Sequence, residues 1–311
     1  MGKELPFVTV VVPAYNHENY VIDCIESILS QDYPNIDLVV INDGSTDGTG
    51  EKIRDLTGQG GRPFRYISKE NEGLIKTLNL GLKMSDGKYF CELASDDVLL
   101  PGSIKKRVEY LESNPEEDAV FADAYLMDGL QKTGRRYMQS RGREGYSSKG
   151  HTVKDMVEGN ALILFPSGMI KRETIDRFKA FDEGFFYSED MLFKAQLVIF
   201  CKVGYLDEPL MYYRMHSANT SKTDRFWLRM RAENILALEK LIAMYGESVR
   251  GTLEKPLFNQ YLRYVRFGIK NGVGRGEPSG ALKKALKMRP YSARALYYLV
   301  LLYMRKDGQN R

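Results

Sequence analysis

The chain has 311 residues, 43% of them hydrophobic and 28% charged, which suffices for one large core or two smaller ones beneath a soluble surface. A net charge of +4 is modest for that length and argues against general nucleic-acid binding. Cys24, Cys91 and Cys201 stand far apart among apolar residues, without zinc or disulfide spacing, and read as reduced thiols of a cytosolic protein. The opening Met1–Pro6 has no apolar signal core, and Pro6 stands where a myristoylation motif wants Ser or Thr.

Phe7 to Val12 is a continuous, largely β-branched run, as expected of a strand buried on both faces of a parallel sheet. Tyr20 to Gln31 has helical spacing through Val21, Ile25, Ile28 and Leu29. Ile36 to Ile41 is a second strand, ended by Asn42-Asp43-Gly44-Ser45-Thr46-Asp47-Gly48-Thr49, and a polar helix follows to Leu56. Phe64–Ser68 and Lys88–Leu93 are further strands, with a helix from Leu74 to Met84 between them. This alternation predicts a doubly wound parallel sheet whose ligand lies beyond the carboxyl ends of the strands. The loops Pro13–Asn16, Asn42–Thr49, Lys69–Gly73 and Ala94–Asp97 then converge on one crevice.

Each loop has two readings. Asp96-Asp97 at a strand end either binds a divalent cation, which offsets the cost of burying two carboxylates, or caps a helix beginning near Gly102. Asp43 and Tyr15 suit the polar edge and the face of a base, whereas Asp-Gly-Ser-Thr-Asp-Gly is also ordinary turn and cap chemistry. Glycine-rich dinucleotide and P-loop signatures are absent.

The segments VTVVVPAYNHENYVIDCIESILSQDYPNIDLVVINDGSTDGT, ENEGLIKTLNLGL, DGKYFCELASDDVLLP, FYSEDMLF and YYRMHSANTS together resemble the family 2 glycosyltransferases over Val8 to about Ser221. The resemblance implies an α/β GT-A fold: a Rossmann-like sheet with helices on both faces, here with a helical C-terminal extension. It implies that Pro13, Tyr15, Asn16 and Asp43 hold the base and ribose, with Asn71 and Gly73 nearby, and that Ser95 and Asp96 complete the nucleotide contacts. It further implies Asp97 and His216 as the ligands of a Mn²⁺ or Mg²⁺ ion, and Asp190, with Glu189 beside it, as the catalytic base. Two positions depart from the family pattern: Ala94 replaces an Asp, and Leu78 an Arg, so Lys69 or Lys76 is assigned the charge facing the diphosphate.

Ser103–Asn114 reads as a helix and Ala119–Met127 as a strand. Lys132, Arg135, Arg136, Arg141, Arg143 and Lys149 form either a solvated hairpin or a basic flap facing an anionic acceptor or membrane. Glu189-Asp190 opens an apolar helix, where acids also simply complement the helix dipole. Beyond Asp224 the resemblance fades into amphipathic helices at Phe226–Tyr245, Pro256–Asn271 and Gly280–Met288, then the apolar Ala293–Met304, too short for a bilayer span of about 20 residues.

The expected protein is an inverting glycosyltransferase with a catalytic domain at 1–223 and a helical region at 224–311. Its donor is a nucleotide sugar, by analogy UDP-linked, and its acceptor a glycan or lipid-linked glycan of bacterial surface polysaccharide assembly, with no nucleic-acid partner. It is expected in the cytoplasm, with peripheral contact at the inner membrane face as the variant that the basic segments raise. Competing readings are a non-catalytic sugar-nucleotide-binding scaffold subunit and a nucleotidyltransferase. The latter wants a glycine-rich basic loop where Pro13-Ala14-Tyr15-Asn16 stands.

Overall fold

A computed structural model of the chain describes residues 4–59, 62–140, 142, 163–178, 181–186, 190–216, 224–273 and 276–304. These fall into two compact units, one holding the described residues up to 216 and the other those from 224 onward.

The first unit is built on a nine-stranded sheet. Its strands are β1 (Val8–Ala14), β2 (Ile36–Asp43), β3 (Arg65–Lys69), β4 (Tyr89–Glu92), β5 (Val98–Leu99), β6 (Ala119–Asp128), β7 (Gln131–Arg136), β8 (Met169–Lys171) and β9 (Val203–Met215). They lie in the order β3-β2-β1-β4-β8-β6-β9-β5, with β7 paired to β6. The first four are mutually parallel, and β8 runs against both β4 and β6. Because β9 is parallel to β6, the carboxyl ends of β1, β2, β3, β4, β6 and β9 all emerge on one edge.

The central position of β1 explains its composition. All seven of its residues are buried, with β2 on one side and β4 on the other. Each Val interred there contributes about 1.5–3 kcal/mol. Pro13 lies past the last β1–β4 pair, Val11 with Glu92, where β1 keeps only β2 as a paired neighbour and a missing N–H is tolerated.

Helix α1 (Val21–Leu29) buries Val21, Cys24, Ile25 and Ile28, the i, i+3, i+4, i+7 stripe of a helix lying on a sheet. Next come α2 (Thr49–Thr57), α3 (Leu74–Lys83), α4 (Ser103–Ser113), the short α5 (Tyr137–Ser140), α6 (Arg172–Arg177) and α7 (Met191–Phe200). The expected elements of this unit occur with ends moved by a residue or two, and β7 with β6 makes the hairpin expected after Asp128, while β5, β8 and β9 were not legible as strands. Cys24 and Cys91 are buried thiols, but Cys201 is only half-buried, with its sulfur 2.9 Å from the Arg177 guanidinium.

The second unit holds α8 (Asp224–Tyr245), α9 (Glu247–Lys270), α10 (Gly276–Met288) and α11 (Ala293–Met304). The amphipathic pattern places a helix at Pro256–Asn271, yet Pro256 lies buried inside α9, which starts nine residues earlier at Glu247. An interior proline costs about 3 kcal/mol of helix stability. The buried face of α9, with Leu253, Leu257, Phe258, Tyr261, Leu262 and Val265, offsets that. No helix among the described residues is long and apolar enough to cross a membrane.

Candidate active site

Three loops on the common carboxyl edge are tied together before any ligand is considered. Asn16, the one described non-glycine residue with positive φ (54°), accepts the Thr46 N–H at 2.8 Å through Oδ1, and its own N–H donates to Ser45 Oγ at 3.0 Å. The loop after β1 is thereby stitched to the loop after β2. Gly44 has φ of +67°, and a Cβ there would sit 2.5 Å from the Asn71 nitrogen, so only glycine lets the second loop approach the third so closely.

Asp43 holds the third loop. Its carboxylate accepts the N–H groups of Glu72 (3.0 Å) and Gly73 (2.9 Å) and is paired with Lys69. Burial acts to raise the Asp43 pKa, but the Lys69 ammonium and these N–H groups outweigh it and hold the carboxyl below its usual range. Lys69 is thus committed to Asp43 and Glu72, and the half-exposed Lys76 lies 3.3 Å from Glu72. Tyr15 is 46% exposed and Asn71 is also exposed, both open to a flat ligand.

The two adjacent aspartates have separate environments. Neither caps α4, whose N-cap is Gly102, with β5 lying between. Asp97 is 1% exposed, and its Oδ1 accepts the Arg214 N–H at 2.8 Å, while Oδ2 is buried with no hydrogen-bond partner. Burial first, and then the charge of Asp96, push the Asp97 carboxyl well above the usual carboxylate range. Asp96 instead meets His216 just past the end of β9, with Nε2 to Oδ2 at 2.9 Å. The Arg214 guanidinium, fully buried, donates from Nε to the Asp96 carbonyl at 2.5 Å and sits 4.6 Å over the Tyr20 ring, which pins the Asp96 backbone.

His17, from the loop after β1, completes this group. Its Nδ1 lies 2.8 Å from Ser95 Oγ, and the His17 and His216 rings are 5.6 Å apart and nearly perpendicular. One potential ligand atom from each of His17, Asp96 and His216 lies within 4.8 Å of the others. Burial, which outweighs the attraction of Asp96, keeps His17 below the ordinary imidazole value, so the neutral, metal-binding form prevails at pH 7. Two imidazoles and a carboxylate are a competent donor set for a first-row divalent ion. Neither His17 nor Arg214 stood out in the sequence. His17 merely follows Asn16, and Arg214 precedes His216 by two residues, so the only available signal was their adjacency to motif positions.

Asp190 lies at the N-terminus of α7, where its side chain makes no capping hydrogen bond and pairs with Lys194 at 2.5 Å. That helix is anchored by Leu192, Phe193 and Leu197, and Phe193 and Phe181 pack edge-on against Phe165. Asn79 of α3 donates to the Phe181 carbonyl at 3.0 Å. Glu189 lies outside the described residues, as do Arg141, Arg143 and Lys149 of the basic segment. Arg136 is not free for an acceptor, being bonded to Asp123 and Asp207.

Residues 9–167, just over half of the chain, match the family model described as glycosyl transferase family 2. An uncharacterised glycosyltransferase of Haemophilus influenzae is 32% identical over 225 residues, covering 70% of this chain and 68% of that protein. This chain belongs to glycosyl transferase family 2. Glycosyltransferase GlyA of Streptococcus pneumoniae is 29% identical to this glycosyltransferase over 296 residues, covering 91% of it but only 40% of GlyA. Among solved structures, Staphylococcus aureus TarS in complex with UDP-GlcNAc superposes with a TM-score of 0.67 at 20% identity, covering 91% of this chain and 81% of the other. The mannosyltransferase PcManGT of Pyrobaculum calidifontis, in complex with GDP-Man and Mn²⁺, does so at 0.58 and 15% identity, covering 96% and 86%. The sheet with its flanking helices is accordingly a GT-A fold, followed here by C-terminal helices.

Proposed function

We propose that this glycosyltransferase moves a sugar from a UDP-linked donor to an acceptor hydroxyl with inversion at the anomeric carbon. The acceptor is a glycan or lipid-linked glycan, and the setting is bacterial surface polysaccharide assembly. The observation that carries the reading is the meeting of Asp96 and His216 at the switch point between β1 and β4, beside the loops bound together by Asp43 and Gly44. Complexes of TarS with UDP-GlcNAc and with UDP support a uridine nucleotide, and the complex of PcManGT with GDP-Man and Mn²⁺ supports a divalent ion alongside the nucleotide sugar.

In this reading Tyr15 offers its exposed face to the base, and Asp43 fixes the third loop, with Asn71 and Gly73, around the nucleoside. Asp96, in place of the Asp97 that the resemblance implies, is the ligand of a Mn²⁺ or Mg²⁺ ion together with His216. Asp96 is the carboxylate grouped with the histidines, while Asp97 is buried against the Arg214 N–H. When bound, the ion neutralises charge building on the leaving diphosphate. Asp190 receives the proton of the acceptor hydroxyl as that oxygen attacks opposite the leaving group. Lys194 holds one carboxylate oxygen and so sets the direction of the other.

Binding to the native state raises its melting point, by about 2.7 kcal/mol of stabilisation at a hundred times Kd. A thermal-shift panel of nucleotide sugars is expected to pick out UDP-sugars, with a larger shift when Mn²⁺ is present. No shift with any nucleotide sugar, with or without the ion, overturns the assignment.

Peripheral membrane contact is supported by α11. Leu296, Leu299, Val300 and Tyr303 form an exposed i, i+3, i+4, i+7 stripe, with Tyr297 and Met304 also exposed, preceded by Lys283, Lys287 and Arg289. Cosedimentation with anionic vesicles at low salt, lost at high salt, is the expected result. Absence of pelleting at low salt removes the idea.

A further inference from the structure

The reading above gives the ion two protein ligands. We propose that His17 is a third, so that the site takes a transition-metal ion of the Mn²⁺-to-Zn²⁺ series without nucleotide and discriminates against Mg²⁺. The inference rests on an ion at Asp96 and His216 and goes beyond it in naming the ion's class and order of binding.

The geometry supports it in three ways. The 2.9 Å between His216 Nε2 and Asp96 Oδ2 is close to the edge of an octahedron with ligand bonds of about 2.1 Å. Ligands on one such ion stand at most about 4.2 Å apart, so atoms already within 4.8 Å need close in by at most about 0.6 Å. With His17 Nδ1 engaged by Ser95 Oγ at 2.8 Å, Nε2 is left for the ion, and the Ser95 contact fixes the ring as partners of metal-bound histidines do.

The chemistry of the set then decides the metal. Ala94, two residues before Asp96, brings no ligand atom, so imidazole nitrogen outnumbers carboxylate oxygen among the three donors. Mg²⁺ prefers oxygen and keeps its waters, whereas imidazole affinity rises from Mn²⁺ through Co²⁺. The loop carrying His17 is fixed by its N–H to Thr49 Oγ1 bond at 2.8 Å, so the ligands are held together before a diphosphate arrives.

The test is calorimetry of the full chain with CoCl₂, MnCl₂ and MgCl₂, each with and without UDP. Without nucleotide, Co²⁺ is expected to bind at least about tenfold more tightly than Mg²⁺. His17→Asn should lower Co²⁺ affinity by about ten- to a hundredfold, and His17→Asp should narrow the gap to Mg²⁺. Melting curves of metal-free variants report whether they fold. Independently of any variant, proton spectra of the Co²⁺-loaded wild type should show two shifted, exchangeable imidazole N–H signals. A single such signal, an unchanged Co²⁺ affinity in folded His17→Asn, or equal affinity for Mg²⁺ overturns the inference and leaves an ion at Asp96 and His216 intact. No binding of any metal even with UDP overturns both.

Discussion

Asp190→Asn is expected to lower kcat by roughly two to four orders of magnitude, the range typical of removing a general base. The amide is nearly isosteric but takes up no proton at neutral pH. Affinity for the sugar nucleotide should change by less than about tenfold, or ~1.4 kcal/mol, because the role assigned to Asp190 concerns the acceptor alone. A carboxylate serving only the dipole of α7 behaves otherwise: its loss costs about 0.3–1 kcal/mol of stability and leaves turnover intact. The structure sharpens the contrast, since Asp190 makes no capping hydrogen bond and is paired with Lys194. Single-turnover kinetics on the folded variant separate the two, and near-normal transfer sinks the assignment.

The second large effect distinguishes the neighbouring aspartates. Asp96→Ala is expected to abolish the Mn²⁺ dependence of UDP binding and to weaken that binding at least about a hundredfold, ~2.8 kcal/mol, because Asp96 is the carboxylate that faces the two histidines. Asp97→Asn should keep metal-dependent binding within about tenfold, since its Oδ1 still accepts the Arg214 N–H. Asp97→Ala strands that buried N–H and should cost about 1–3 kcal/mol of stability, read as a lower melting point rather than a changed metal response. Calorimetry of UDP with and without Mn²⁺ on the three variants checks this. Loss of the metal response in Asp97→Asn but not in Asp96→Ala returns the ligand role to Asp97.

What each strand and loop would be was largely written in local order. The β-branched run of β1, the stripe of α1 and the polar loops after β1, β2 and β4 are periodic or compositional signals, each carried by neighbouring residues. The ordered motifs alone were enough to point to the glycosyltransferase family and its sheet. The expected Pro256–Asn271 helix begins nine residues too late, because tertiary packing of its buried face carries α9 through Pro256 from Glu247.

Which of two adjacent aspartates faces the site was beyond the sequence. Asp96 and Asp97 both lie in the turn between β4 and β5, and only β9, more than a hundred residues later, brings the Arg214 N–H to one and His216 to the other. The same holds for His17, separated by 78 residues from Ser95 and joined to it only because β1 and β4 lie side by side. Sequence patterns report what a residue does with its neighbours in the chain. A metal-binding cluster depends on distances between residues remote in the chain, and the order of strands in the sheet sets those.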